Sequence, residues 1–209
     1  MLRLTPGHVS KAIQFTSRTF VKAEPTSVAL KFTTCDFTTA FQDVMKKCVE
    51  SGYSFAHMEN GEIVAQSLTV PYEKFTAANY GYTRETQPMF DLFSELEVYA
   101  PKTKCLVVFA LSSEVERKGY AASLLKRTIE EAKASGFGEI IADCTNFKSQ
   151  KLFEKYGFQT VVRVEYDSYK YGVLYPFKSI KDTKDVQRMV LKLTRPSQWS
   201  PRAESESRP

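Results

Sequence analysis

The segment around Gly119 combines residue types that can bind a phosphate group. An apolar run leads into a polar loop, the chain turns at Gly119, and a predicted helix begins with the small residues Ala121 and Ala122. The unpaired N–H groups and the dipole of a helix N-terminus favour an anion, and small side chains let it approach the backbone. Arg117 and Lys118 add positive charge beside the turn. The pattern is typical either of a phosphate site or of a helix that simply begins with glycine and alanine.

Hydrophobic patterns predict the elements that hold this turn in place. The apolar run 105–111 is typical of a strand buried on both faces, and an apolar stripe with helical spacing predicts a helix over 119–135. The stripe consists of Leu124, Leu125, Thr128, Ile129 and Ala132. Further strands are predicted at 139–144, 158–166 and 186–193, with a helix at 149–156. Ser112 and Ser113 are expected just past the end of the first strand, as loop serines or as proton donors.

The N-terminal half is predicted to hold two helices and a hairpin. One helix is expected over 6–20, and a second is expected from an N-cap at Asp36 to Gly52. Asn60-Gly61 between two apolar runs predicts a hairpin turn. A further helix is expected over 89–99. This order of elements predicts an α/β fold in which a mixed sheet has helices on both faces.

Composition limits the remaining classes of function. The chain has 209 residues and a formal net charge of +5, with basic and acidic residues interleaved. This pattern favours a solvated mixed-charge surface over a nucleic-acid interface. The four cysteines include no CxxC pair, which predicts reduced, mostly buried thiols in a cytoplasmic protein. The two histidines are far apart in the sequence, so no metal site is expected. No membrane span is expected, and residues 196–209, rich in Pro, Ser and charge, are expected to be a disordered tail.

Two segments resemble motifs of the GNAT superfamily of acyltransferases. Glu116-Arg-Lys-Gly-Tyr-Ala121 resembles the acetyl-CoA-binding motif Gln/Arg-x-x-Gly-x-Gly/Ala, although Glu116 stands where the family usually has Arg or Gln. Asn146-Phe-Lys-Ser-Gln-Lys-Leu-Phe-Glu-Lys-Tyr-Gly-Phe158 is similar to the second motif of the family, a helix that follows a cofactor-contacting Asn and ends in Gly-Phe. The order of elements also resembles the family up to about residue 195.

This resemblance implies a single acyltransferase domain over 1–195 that uses acetyl-CoA or another acyl-CoA. Strands 105–111 and 139–144 would splay apart to admit the pantetheine arm, and a main-chain N–H at 109–111 would polarise the thioester carbonyl. The residues implied in cofactor binding are Phe109, Ala110, Leu111, Arg117, Lys118, Gly119, Tyr120, Ala121, Ala122, Asn146, Ser149 and Phe153.

A shorter resemblance concerns the proton acceptor. Phe20-Val-Lys-Ala-Glu-Pro-Thr26 is similar to the Phe-x-x-x-Glu-Pro stretch of the invertebrate arylalkylamine N-acyltransferase-like group. The resemblance implies that Glu24 removes a proton from the attacking amine. The alternative to this catalytic role is a structural one, in which the Glu24 carboxylate caps a helix or lies in a loop beside Pro25.

Three functions remain open at this stage. The first is N-acylation of a small amine, the second is acylation of peptide or protein amines, and the third is CoA binding without catalysis. Phe153 favours the third, because many family members have a Tyr there that protonates the leaving thiolate. Several aromatic residues of the segment 71–100 are predicted either to line a pocket for an aromatic amine or only to pack a loop. They are Phe75, Tyr80, Tyr82, Phe90 and Phe93.

Overall fold

The computed structural model describes residues 1–75, 81–115 and 117–193, which form one mixed sheet covered by helices. The strands are β1 Leu2–Arg3, β2 Phe55–Glu59, β3 Glu62–Pro71, β4 Cys105–Ser113, β5 Glu139–Cys144, β6 Gln159–Glu165 and β7 Asp185–Lys192. Their order across the sheet is β1-β2-β3-β4-β5-β7-β6. Every neighbouring pair is antiparallel except β4 and β5, which are parallel.

Helices cover both faces of this sheet, as the order of elements predicts. They are α1 Val9–Ala23, α2 Pro25–Ala29, α3 Thr34–Glu50, α4 Gln87–Ser94, α5 Tyr120–Ala134 and α6 Phe147–Lys155. One apolar cluster joins α1, α3 and α4 to one face of β3 and β4, and we call this the α3 face. A second cluster joins α5 and α6 to the other face of β4 and β5. The five apolar-stripe residues of α5 are all buried there or against the neighbouring strands.

The hairpin turn is confirmed. Strands β2 and β3 pair antiparallel around Asn60 and Gly61, with Glu59 opposite Glu62. Both turn residues have positive φ, 51° and 79°. This two-residue turn with left-handed backbone matches the right-handed twist of paired strands, which explains why Asn-Gly is preferred in it.

The sheet opens between its two parallel strands. Pairing of β4 with β5 begins at Cys105 and Glu139 and ends at Val108 and Ala142, although both strands continue beyond that point. On its other edge, β4 has a bulge, because Leu68 pairs with Ala110 and Thr69 with Val108, so Phe109 has no partner on β3. A bulge bends the strand that contains it. The predicted splay is therefore present, and we call the gap beyond Val108 and Ala142 the mouth.

Three predicted boundaries were wrong. The N-cap of α3 is Thr33, and Asp36 is instead the third helical residue of a capping box, where its carboxylate accepts from the Thr33 N–H at 2.8 Å. Ser112 and Ser113 lie inside β4. The helix expected over 89–99 divides into α4 and the 3-10 turn Glu95–Val98.

Three of the four cysteines are buried, as the sequence predicts. Cys48, Cys105 and Cys144 are buried free thiols, whereas Cys35 is exposed. Within the described residues, no group of three or more candidate ligands could hold a metal ion. None of the helices in the same residues combines the length and apolar character that a membrane span requires. The predicted tail 196–209 lies outside the described residues, as do Tyr80 and Glu116.

Candidate acyl-CoA site

The residues expected to bind a cofactor gather at one edge of the sheet. Strands β4 and β5 are parallel, so their carboxyl ends lie at the same edge, which is where open α/β sheets bind ligands. Helix α5 follows β4 and helix α6 follows β5, so both helices begin beside the mouth. In β4 the segment 109–113 has no partner on β5, which leaves its backbone groups on that side available to a ligand.

The turn before α5 has the backbone of an anion site. Gly119 is the N-cap of α5 with φ of 71°, and Arg117 also has positive φ, 62°. A Cβ at Gly119 would meet open space, so glycine is favoured here by backbone conformation rather than by crowding. Because the N-cap has no side chain, the N–H groups of the first turn carry no side-chain cap. An exposed Arg117 stands beside them.

The side chains around this turn are held by β2. One oxygen of the Glu59 carboxylate accepts from Lys118 Nζ at 2.9 Å and from the Tyr120 hydroxyl at 2.7 Å. These bonds lower the pKa of Glu59 and raise the pKa of Lys118. The Tyr120 ring stacks on the imidazole of His57 with 4.3 Å between centroids. Lys118 is therefore held in an ion pair rather than standing free at the rim of the turn.

His57 is also bonded to the first turn of α5. Its Nε2 lies 2.8 Å from Ser123 Oγ, and the Ser123 hydroxyl donates to the carbonyl of Tyr120 at 2.9 Å. Since the hydroxyl proton is used in that bond, His57 must donate from Nε2, which fixes its tautomer. Sequence reasoning missed both His57 and Glu59, because nothing local to β2 indicates a contact with a helix some 60 positions later in the chain.

The start of α6 is organised by Asn146. Its side-chain oxygen accepts from the N–H of Ser149 at 2.9 Å, and the Ser149 hydroxyl donates to the Asn146 carbonyl at 2.8 Å. Asn146 is thus the N-cap of α6, one residue from the start of the helix and two beyond the end of β5. The NH₂ group of this amide donates no hydrogen bond within the described residues. It is a donor at the mouth that a ligand carbonyl could use.

Phe153 lies further along α6 and away from solvent. It is 2% exposed and packs edge-on against Phe158 with 4.8 Å between ring centroids. Its apolar cluster also includes Val108 and Ala142, the last paired residues before the mouth. Phe153 therefore belongs to the apolar cluster that contains the last paired residues of both strands, and a contact with the cofactor stays a prediction.

An aromatic cluster lies beside the mouth on the α3 face. It consists of Phe41, Phe75, Tyr82, Phe90 and Phe109. The bulged Phe109 lies 5.7 Å from Phe41 and 6.2 Å from Phe75, measured between ring centroids. Phe93, also expected in a pocket, is partly buried against the apolar clusters of the same face. Three of the five predicted aromatics thus gather next to the mouth, while the packing itself leaves both predicted roles open.

Glu24 is placed at the N-cap of α2. It is 7% exposed, and its carboxylate accepts from the N–H groups of Thr26 at 3.0 Å and Ser27 at 2.7 Å. The hydroxyls of Thr26 and Ser27 donate to it as well, at 2.8 Å and 2.6 Å. Pro25 occupies the first position of the helix, where its missing N–H costs nothing. The structural role considered for Glu24 is therefore present.

The charge of Glu24 acts on Tyr166, a buried residue that contacts the end of β5. The Tyr166 hydroxyl donates at 2.8 Å to the carbonyl of Thr145, the residue that follows β5. Burial raises the pKa of Tyr166 well above its ordinary value, and the negative charge of Glu24 raises it further. The role of Glu24 as proton acceptor stays a prediction.

A buried ion pair, which sequence reasoning missed, holds β5 at the mouth. Arg188 on β7 donates two hydrogen bonds of 2.8 Å to Asp143 on β5, and the Arg188 side chain is 5% exposed. Asp143 is the first residue of β5 beyond its pairing with β4. A bidentate pair of this kind fixes geometry as well as charge. It therefore defines where the β5 wall of the mouth lies.

Comparisons with known proteins agree with this arrangement. A family model described as "Acetyltransferase (GNAT) family" matches residues 24–158. Arylalkylamine N-acetyltransferase 2 from Aedes aegypti has a similar fold, with a TM-score of 0.77 and 16% identity over 92% of this chain and 98% of that one. Polyamine N-acetyltransferase from Drosophila melanogaster gives 0.64 and 16%, over 91% and 98%. The C-terminal condensation domain of Ebony, in complex with beta-alanyl-dopamine, gives 0.73 and 18%, over 92% and 97%.

At these identities the solved structures show only that the fold is similar. The family model covers more than half of the sequence and therefore shows the family. The open mouth between β4 and β5, with the N-terminus of α5 beside it, is the arrangement that the resemblance to this family implied. The chain belongs to the acetyltransferase (GNAT) family and is accordingly an acyl-CoA-dependent N-acyltransferase.

Proposed function

We propose that this protein transfers an acyl group from acyl-CoA to a small primary amine, and that the amine is aromatic. The observation that supports this acceptor is the aromatic cluster, whose bulged member Phe109 lies at the point where β4 leaves β5. Aromatic side chains that converge on a reactive centre bind flat apolar rings well. Two of the structural neighbours, by their names, act on arylalkylamines and polyamines, which agrees with a small amine as acceptor.

The acyl donor would bind along the mouth. Its pyrophosphate would accept from the first N–H groups of α5 after Gly119, with Arg117 supplying charge, and the amide of Asn146 would bind the pantetheine arm. The thioester carbonyl would accept from a main-chain N–H in the unpaired segment 109–111, which stabilises the oxyanion as it forms. The acyl thioester supplies the electrophilic carbon.

The amine must lose a proton before or while it attacks. An alkylamine has a pKa near ~10, so nearly all of it is protonated at neutral pH. We assign the removal of this proton to Glu24, directly or through a water molecule. The amine nitrogen then forms a bond to the acyl carbon, the C–S bond breaks and the thiolate leaves. The nitrogen loses its second proton, which passes through solvent to the thiolate and gives the free thiol and the amide. A thiol pKa of about 8.5 lets the thiolate depart with modest help, so a phenylalanine at position 153 is compatible with turnover.

A thiol-release assay over a panel of acceptors and acyl-CoA lengths tests the proposal. We expect turnover with small aromatic amines to exceed turnover with aliphatic diamines and with peptides that present an N-terminus or a lysine. Preference for the peptides would replace the small amine with a peptide acceptor. If no thiol is released with any acceptor while calorimetry shows intact CoA binding, the proposal fails and a non-catalytic CoA-binding protein is indicated. The cytoplasm remains the predicted compartment.

A further inference from the structure

The turn before α5 is attached to the β2–β3 hairpin through a single carboxylate oxygen. Glu59 Oε1 accepts from Lys118 Nζ at 2.9 Å and from the Tyr120 hydroxyl at 2.7 Å, so it joins the residues on both sides of Gly119. The hairpin turn that follows Glu59 is itself well defined, with both of its residues in the left-handed conformation. The carboxylate therefore projects from a fixed point on the sheet.

The turn needs such an attachment because its backbone is unfavourable. Arg117 has φ of 62°, a conformation that costs a residue with a Cβ of order 1 kcal/mol or more unless its surroundings hold it. Its neighbour Lys118 and the first helical residue Tyr120 are the two that Glu59 binds. The stack of Tyr120 on His57 and the bond of His57 to Ser123 fix the first turn of α5 from the same strand.

We propose that Glu59 is a positioning residue for the pyrophosphate of acyl-CoA, an assignment that rests on the proposed function. Its negative charge lies beside an anion site, so by charge alone it would weaken phosphate binding. By geometry it strengthens binding, because it holds the turn in the conformation that presents the backbone N–H groups before the ligand arrives. The two effects change the affinity for phosphate in opposite directions. We expect the positioning effect to be the larger one, because Lys118 already compensates the charge of Glu59.

The test compares acetyl-CoA with acetyl-pantetheine, which carries the same thioester but no pyrophosphate. Glu59→Gln should raise the KM for acetyl-CoA about 3- to 10-fold, with kcat within about twofold of wild type. The kcat/KM for acetyl-pantetheine should not change. Tyr120→Phe keeps the stack on His57 and removes one of the two bonds, so it should give a smaller change in the same direction. The two changes should be less than additive when combined.

Glu62→Gln is a matched control, because Glu62 is an exposed carboxylate of the same hairpin that pairs with Lys11 at 3.0 Å. It should leave both substrates unaffected. Tighter binding of acetyl-CoA by Glu59→Gln would show that the charge of Glu59 matters more than its positioning of the turn, and would overturn the proposal. An equal loss of kcat/KM with acetyl-CoA and with acetyl-pantetheine would also overturn it. Calorimetric titration with CoA separates the two levels of inference. If wild type binds CoA and Glu59→Gln binds it equally well, only the role of Glu59 fails; if wild type does not bind CoA, the proposed function fails with it.

Discussion

Replacing Glu24 by Gln tests its structural and chemical roles at once. Its carboxylate satisfies four donors, the N–H and hydroxyl groups of Thr26 and Ser27, and both of these residues are fully buried. A Gln side chain offers one acceptor oxygen and brings an NH₂ group of its own. At least one buried donor then loses its partner, and the remaining hydrogen bonds are made to a neutral amide oxygen instead of a carboxylate.

The cost of that change follows from the contacts. An orphaned buried donor costs about 1–3 kcal/mol, and loss of an N-cap contact costs about 0.5–2 kcal/mol. We therefore expect Glu24→Gln to destabilise the protein by about 2–4 kcal/mol, which in a chain of this size lowers Tm by about 5–15 °C. Thermal unfolding followed by circular dichroism measures this shift. An unchanged Tm would refute the reasoning from the N-cap geometry.

Kinetics well below the lowered Tm then isolate the chemical role. If Glu24 takes the proton, turnover should fall about 10²-fold, with the largest loss at low pH and partial recovery as the amine loses its proton to solvent. Ser27→Ala is the control, since it removes one donor but keeps the carboxylate, and it should lower Tm with little effect on turnover. Activity of Glu24→Gln within a factor of two of wild type between about pH 6 and pH 9 would leave Glu24 with its structural role only.

Three further outcomes are expected. Gly119→Glu should abolish measurable CoA binding in calorimetry. Gly136→Glu, at an exposed glycine beyond the opposite end of α5 that also has positive φ and open space around it, should bind normally; equal affinity of the two variants would contradict the site. Arg188→Met should destabilise the protein by about 3–5 kcal/mol in urea unfolding, since Asp143 then keeps an unpaired charge, and a loss below about 1 kcal/mol would argue against the pair as a wall of the mouth. Burial lowers the pKa of His57, so the folded protein binds a proton at His57 less readily than the unfolded chain does. The free energy of unfolding should therefore fall as the pH drops through about 6.5. His57→Gln should weaken this pH dependence when unfolding is measured at several pH values.

Local patterns were enough to predict most of the elements that form the mouth. The stripe from Leu124 to Ala132 predicted α5, and the continuous apolar run predicted β4, because both signals are contained in neighbouring residues. The turn at Asn60 and Gly61 was predicted for the same reason, since its backbone conformation selects those residues.

The features that failed prediction depend on contacts between distant segments or on weak local signals. The bulge at Phe109 leaves no mark on a strand that is apolar at every position, because such a run has no period to interrupt. Helix α2 was predicted only as one alternative for Glu24, because Glu is an uncommon N-cap and the helix spans only Pro25–Ala29. The N-cap of α3 was placed three residues late, because Thr33 and Asp36 form one capping box and either could have been its first member.

The gap between β4 and β5 also has a consequence for the protein when no donor is bound. Segment 109–113 and the end of β5 are two strand edges that face each other inside the fold without pairing. Unpaired strand edges are where proteins associate by adding a strand. A bound acyl-CoA would fill this gap and bind only the folded state, so each tenfold excess over its Kd would add about 1.4 kcal/mol to stability. Cells depleted of acyl-CoA would then contain a less stable form of the enzyme, and its abundance would follow the supply of its own substrate.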